Sequence, residues 1–274
     1  MRCRAQRWCR RNLRHPPSQE GTITIPGVAV RRPLHCWPHT GAAAMSYQLE
    51  TAIDGIPSGV ESVGPFAALI ASDALPYLLR ECLRDPETRA RVLSASYAHP
   101  NGFLKIVLPV STTTGYRLVL HAWMDNTNVD PARNGHVHDH RWDFTSHVLI
   151  GEIHYEQYMV SDGNVGQEFA VADYRSPGAT TAYRLSDAGQ IRVRSESAGV
   201  LAAGSTYWLH RDVLHRAWVA GHSSAATLVI QHSVMKAGTR VLRANRLEAV
   251  VEPTVRRLLN VELERAISAV LAVY

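Results

Sequence analysis

The stretch Asn134-Gly135-His136-Val137-His138-Asp139-His140-Arg141-Trp142-Asp143-Phe144 carries three histidines at a spacing of two. Alternate residues of an extended strand face the same side, so this spacing aims the three imidazoles one way. A strand is a rigid support from which neutral ring nitrogens can reach one metal ion. A second group, His210-Arg211-Asp212-Val213-Leu214-His215-Arg216, follows in a separate strand region, as a ligand from across a barrel requires. The alternative, loop histidines at 136–140 and a core histidine at 215, needs three residues aligned on one face by coincidence.

Outward from this stretch the pattern is that of strands. Phe103–Val110, Tyr116–Trp123, Trp142–Ile150, Ile153–Met159, Gln167–Ala172, Thr180–Leu185, Gln190–Glu196, Ser205–Trp208, His215–Val219 and Ala226–Val234 are rich in β-branched and aromatic residues, with Gly, Asn, Asp and Ser between them. Many short strands without intervening helices predict an antiparallel sandwich or small barrel. Before them, Pro65, Ser72-Asp73 and Asp85-Pro86 open short helical segments. After Pro253, the spacing of Val255, Leu258, Leu259, Ala266, Ile267, Val270 and Leu271 predicts an amphipathic helix, its face packed on the sheet or on a second subunit of a homodimer. The expected organisation is a tail over 1–44, a helical extension over 45–98, a barrel over 99–236 and a helical segment over 237–274.

Two spacings resemble the cupin superfamily of jelly-roll barrels. The first cupin motif is a Gly-led His-x-His, three or four residues, Glu, six residues and Gly. Here His138-x-His140 is followed by three residues, Phe144, six residues and Gly151. The second motif runs Gly, five residues, Pro-x-Gly, two residues, His, three residues, Asn; Gly204, His210, Asp212, His215 and Val219 fall at its positions. The resemblance covers roughly 100–236 and implies a double-stranded β-helix, with the short helices before it and the C-terminal helix after. The departures are Phe144 for Glu, His210 and Asp212 for Pro and Gly, Val219 for Asn, and Gly135 displaced from the lead position.

With Phe144 on the inward parity and Asp143 on the outward one, the expected metal ligands are His138, His140 and His215. A rival register uses His136, His138 and Asp143, and His210 is a further alternate. An all-imidazole set leaves the charge of a divalent ion uncompensated and positions free for water, substrate and oxygen. Thiol dioxygenases of the cupin type use a three-His iron site, so the resemblance implies an Fe(II) dioxygenase that takes a small-molecule substrate and molecular oxygen. A Zn, Mn or Ni cupin isomerase, lyase or hydrolase and a non-catalytic small-molecule binding cupin stay open beside it. Pocket candidates are Trp142 and Phe144 as walls, Tyr155, Tyr158 and Tyr207 as hydroxyl donors, and Arg117 ahead of the outward Arg141 for a substrate carboxylate. His121 and His232 read as core or supporting imidazoles. No zinc-protease helix, phosphate-binding Gly-rich loop or serine-hydrolase elbow occurs.

The formal charge of +5 misleads until it is divided. Residues 1–44 hold eight Arg and one acid; the other 230 residues carry 21 bases and 23 acids. A near-neutral barrel offers no footprint for a polyanion, so no nucleic-acid partner is expected. The tail has five prolines and no apolar run for a secretory signal, and translation from Met45 is the expectation. Cys3, Cys9 and Cys36 match no zinc spacing, leaving Cys82 alone in the fold; with no run of about 18 apolar residues, a cytoplasmic protein without a membrane partner is expected.

Overall fold

The computed structural model describes residues 23–25, 42–124, 136–175, 182–221 and 223–274. Most of the tail over 1–44 lies outside the described residues. Helices α1 (Ala42–Asp54), α2 (Val63–Ile70), α3 (Ala74–Arg84) and α4 (Pro86–Ala95) precede the main sheets, and α5 (Asn260–Leu271) follows them. The start of α4 shows the local cause: the Asp85 carboxylate accepts the Thr88 N–H at 2.7 Å, and Pro86 takes the first helical position, where its missing N–H costs nothing.

The strands are β1 (Ile23–Ile25), β2 (Tyr97–Ala98), β3 (Leu104–Val107), β4 (Arg117–Trp123), β5 (Phe144–Ile150), β6 (Glu152–Val160), β7 (Gln167–Arg175), β8 (Arg184–Ala202), β9 (Thr206–Leu209), β10 (Leu214–Trp218), β11 (Ala225–Gln231) and β12 (Thr239–Arg243). They form two antiparallel sheets, ordered β1-β9-β5-β11-β4-β3-β2 and β10-β6-β8-β7-β12. The chain crosses between the sheets from β5 to β6 and at every step from β8 to β12, while β6, β7 and β8 follow one another within the second sheet, the winding of a double-stranded β-helix.

The histidine segment supplies the missing crossing. His138 and His215 exchange N–H to carbonyl bonds of 2.9 Å each. On the other side Asp139 N–H donates to the Arg240 carbonyl at 3.1 Å, and Leu242 N–H to the Val137 carbonyl at 2.8 Å. Residues 137–139 thus join the two edges of the second sheet, β10 and β12, and its hydrogen bonds run full circle. Exposed strand edges are removed by the same closure.

Period-two alternation sorts the first sheet's side chains. Leu118, Leu120, Leu228 and Ile230 point to the helical layer, where they are buried with Phe66, Leu75, Leu79 and Ile267. Each such side chain contributes about 1.5–3 kcal/mol by leaving water. The apolar face of α5 (Leu263, Ala266, Ile267 and Val270) is fully buried in this layer, so it packs on its own chain. Residues of the opposite parity, among them Arg117, His121, Phe144, Ser146 and Tyr207, face the second sheet.

Three elements differ from the sequence expectation. β8 is one strand of 19 residues where the Ser/Asp/Gly stretch suggests a break. The register with β7 shifts between Ala170 and Ala172, so the polar residues are absorbed in a bulge. β12 extends the second sheet past residue 236, into a segment expected to be helical; its Thr-Arg-Val-Leu-Arg composition carries little apolar signal. Ile23–Ile25, in the tail expected to lack structure, pairs with β9 through the alternation Ile-Thr-Ile. Among the described residues no single helix is long and apolar enough to cross a membrane.

Candidate metal centre

The bridge at His138 faces its ring toward that of His215 on β10, and His140 follows at the same parity. Ring centroids lie 4.8 Å apart for His138 and His140, 4.8 Å for His138 and His215, and 4.9 Å for His140 and His215. One nitrogen from each ring lies within 4.8 Å of the other two, an arrangement that can hold a metal ion. The outer nitrogens are tied back: His138 Nδ1 is 2.7 Å from the His136 carbonyl and His215 Nδ1 is 3.3 Å from the Val213 carbonyl. A carbonyl only accepts, so each Nδ1 carries the proton and each Nε2 keeps a lone pair for the interior.

Burial keeps these rings uncharged. It pushes His140 well below the usual imidazole range, with His138 and His215 adding to the effect. It brings His215 down to about 3, and lowers His138 against the opposing pull of the His136 carbonyl. Three neutral imidazoles converging without a carboxylate fit a divalent first-row metal.

The nearby acids are engaged elsewhere. Asp143 accepts the Arg211 N–H at 2.8 Å and pairs with the Arg211 guanidinium at 3.2 Å. His210 sits between Asp143 and Asp212, at 3.9 and 3.7 Å. The His136 ring lines the central cavity outside the three-histidine group. Asp139, between two of the three histidines, has a side chain with no exposure and accepts from Lys236 Nζ at 2.9 Å, Arg240 Nε at 2.7 Å and the Arg240 N–H at 2.7 Å. It anchors the segment without touching the group. The Phe144 ring stands 4.9 Å from His140 and 6.0 Å from His215, an apolar wall at the position of the motif's carboxylate.

The three rings open into a cavity of about 1130 Å³ between the sheets. Of the pocket candidates, Arg117, Trp142, Phe144 and Tyr207 line it. Tyr155 instead packs in the cluster of Trp123, Val148 and Ile153, and Tyr158 bonds Glu156 at 2.6 Å. Arg141 lines the cavity despite its outward parity, because residues 141–142 form a bend rather than strand. Sequence reasoning missed Lys105, His99, Gln231 and Arg243, which also line it. For Lys105 a signal existed: only two of the 29 basic residues are lysines, and this one alternates with apolar residues in a strand.

No family model matches the chain, and no curated protein does. Among solved structures it is similar to HppE. The Fe(II) form with the alternative substrate (S)-1-HPP is 12% identical, with 70% of this chain and 98% of that chain covered and a TM-score of 0.28. The Co(II) form in complex with Tris buffer is 13% identical, with 70% and 99% covered and the same TM-score of 0.28. At that score the overlap carries no argument about site or reaction.

Proposed function

We propose that this chain is a mononuclear, metal-dependent enzyme of the cupin type, holding Fe(II) through His138, His140 and His215 and oxidising a small organic molecule with molecular oxygen. The observation that supports it is the convergence of three neutral imidazoles, each buried, with no carboxylate among them. A bound divalent ion supplies Lewis acidity and, as iron, electron transfer to oxygen. The chain's own part is to bind and enclose. Two backbone carbonyls fix the tautomers of His138 and His215, and the Asp139 anchor holds the backbone between His138 and His140. Phe144 and Trp142 keep water from the rings, which strengthens every charge interaction with a substrate there. Tyr207, in the cavity wall, keeps its hydroxyl protonated because burial raises its pKa, so it can donate to a substrate oxygen.

Elemental analysis of protein purified without oxygen tests the centre; one equivalent of iron per chain is expected. Oxygen consumption against a panel of amino acids, thiols and other small acids tests the reaction. Turnover undiminished in strictly anaerobic buffer would overturn the oxygenase reading.

A further inference from the structure

The cavity is unbalanced in charge. Lys105, on β3, is 8% exposed, and its ammonium has no hydrogen-bond or ion-pair partner among the described residues. Its Nζ lies over two rings, 5.7 Å from the Tyr97 centroid and 5.5 Å from that of Trp142. The Arg141 guanidinium lies over the same indole at 5.1 Å, and its Nε is buried without a hydrogen-bond partner. Arg117 lines the same space from the strand next to β3, and Arg243 adds another buried, unpartnered Nε. Among the described residues the one carboxylate in the lining, Asp139, is already occupied by Lys236 and Arg240. Burial, with Arg117 and Arg141 close by, pushes the Lys105 ammonium down to about 7, the physical mark of cations held together without a counter-ion.

Buried cations and unpartnered N–H groups are costly unless something joins them. We propose that Lys105, Arg117 and Arg141 form a subsite for an oxyanion group of an acidic substrate, with the Trp142 and Tyr97 rings flanking it. The arginines offer paired N–H donors and the lysine a point charge, the combination that recognises such groups. The neighbouring imidazoles cannot compete for the anion as cations, because burial and Lys105 together hold His99 and His121 well below the usual range. This assignment names the substrate class for the proposed enzyme and rests on that reading for the location of the reacting end.

The test is calorimetric binding of phenylphosphonate, phenylacetate and neutral phenylacetamide to the full chain, metal-loaded and after metal removal. At least one acid is expected to bind in both forms, with phenylacetamide at least about tenfold weaker; the tighter acid identifies the anion. Lys105→Met and Arg117→Met should each weaken that acid by about tenfold, and the exposed position of Arg117 keeps the second variant informative if the first does not fold. His140→Ala should retain acid binding while its metal content reports on the metal centre separately. Equal binding of phenylacetamide, unchanged binding in both Met variants, or binding that disappears with the metal would each overturn the subsite.

Discussion

His140 Nε2 and His215 Nε2 lie 3.4 Å apart, although 75 residues separate them in the chain. The His215 ring holds its proton on the far side, against the Val213 carbonyl, so its near nitrogen is a lone pair aimed at His140. Such a pair is satisfied either by one shared proton or by a cation between the lone pairs, and His138 at the third corner favours the cation.

It follows that His140→Ala and His215→Ala should each take metal content from one equivalent per chain to near zero, measured by elemental analysis after dialysis. Metal that binds the folded state only will also stabilise it, by about 4 kcal/mol at a thousandfold excess over Kd. A chelator should therefore lower the melting temperature of wild type and leave both variants where they are.

Asp139 touches none of the three histidine side chains, yet its substitution should be felt at the proposed centre. Asp139→Asn keeps the shape and removes the charge that Lys236 and Arg240 share. Because the Lys236 and Arg240 side chains are 26% and 38% exposed, the expected loss is about 2–3 kcal/mol, below the range for fully buried pairs. Metal affinity should fall by about tenfold as the segment between His138 and His140 loses its anchor. Chemical denaturation and metal titration of the same protein check the two effects; unchanged affinity would show that the bridge at His138 alone orients the ligands.

How far the sequence reaches is clearest at Phe144 and Lys105. Strand parity and motif spacing put Phe144 beside His140 and His215, because period-two alternation is a local property that survives folding. The same reasoning failed for Arg141, since a bend at 141–142 cancels the parity a strand would impose. Lys105 was legible only as an unusual lysine in an apolar strand, and its place in the site was hidden for another reason. Its role depends on Trp142 and Arg141 arriving from the bend at 141–142, and no pattern within β3 contains that meeting. β12 hid because its pairing partner, β7, lies more than 60 residues earlier and its own residues alternate only weakly.

Two motif glycines separate under substitution. Gly151, between β5 and β6, has φ +73°, and a Cβ there would collide with the Ser224 carbonyl oxygen and crowd Ala225. Gly204 has φ +90° with open space around it. Gly204→Ala should cost only the backbone conformation, about 1–2 kcal/mol, whereas Gly151→Ala adds displacement of β11 and should cost about 3 kcal/mol or more. Denaturant midpoints of the two variants measure the difference, and equal losses would mean that the β11 edge yields freely.

Acid should unfold the protein through histidines remote from the three-histidine group. His147 bonds Thr206 Oγ1 at 2.6 Å, and burial lowers its pKa to about 4; burial takes His232 to about 4 as well. An unfolded histidine titrates near 6.5. Below that value the unfolded chain takes up a proton that the folded state refuses, so stability present above pH 6.5 is lost as pH falls toward 4. His147→Gln keeps a hydrogen-bonding group for Thr206 and cannot titrate. The variant's unfolding free energy, measured by urea titration at several pH values, should fall less steeply than wild type between pH 6.5 and 4. Identical slopes would place the acid sensitivity in groups other than His147.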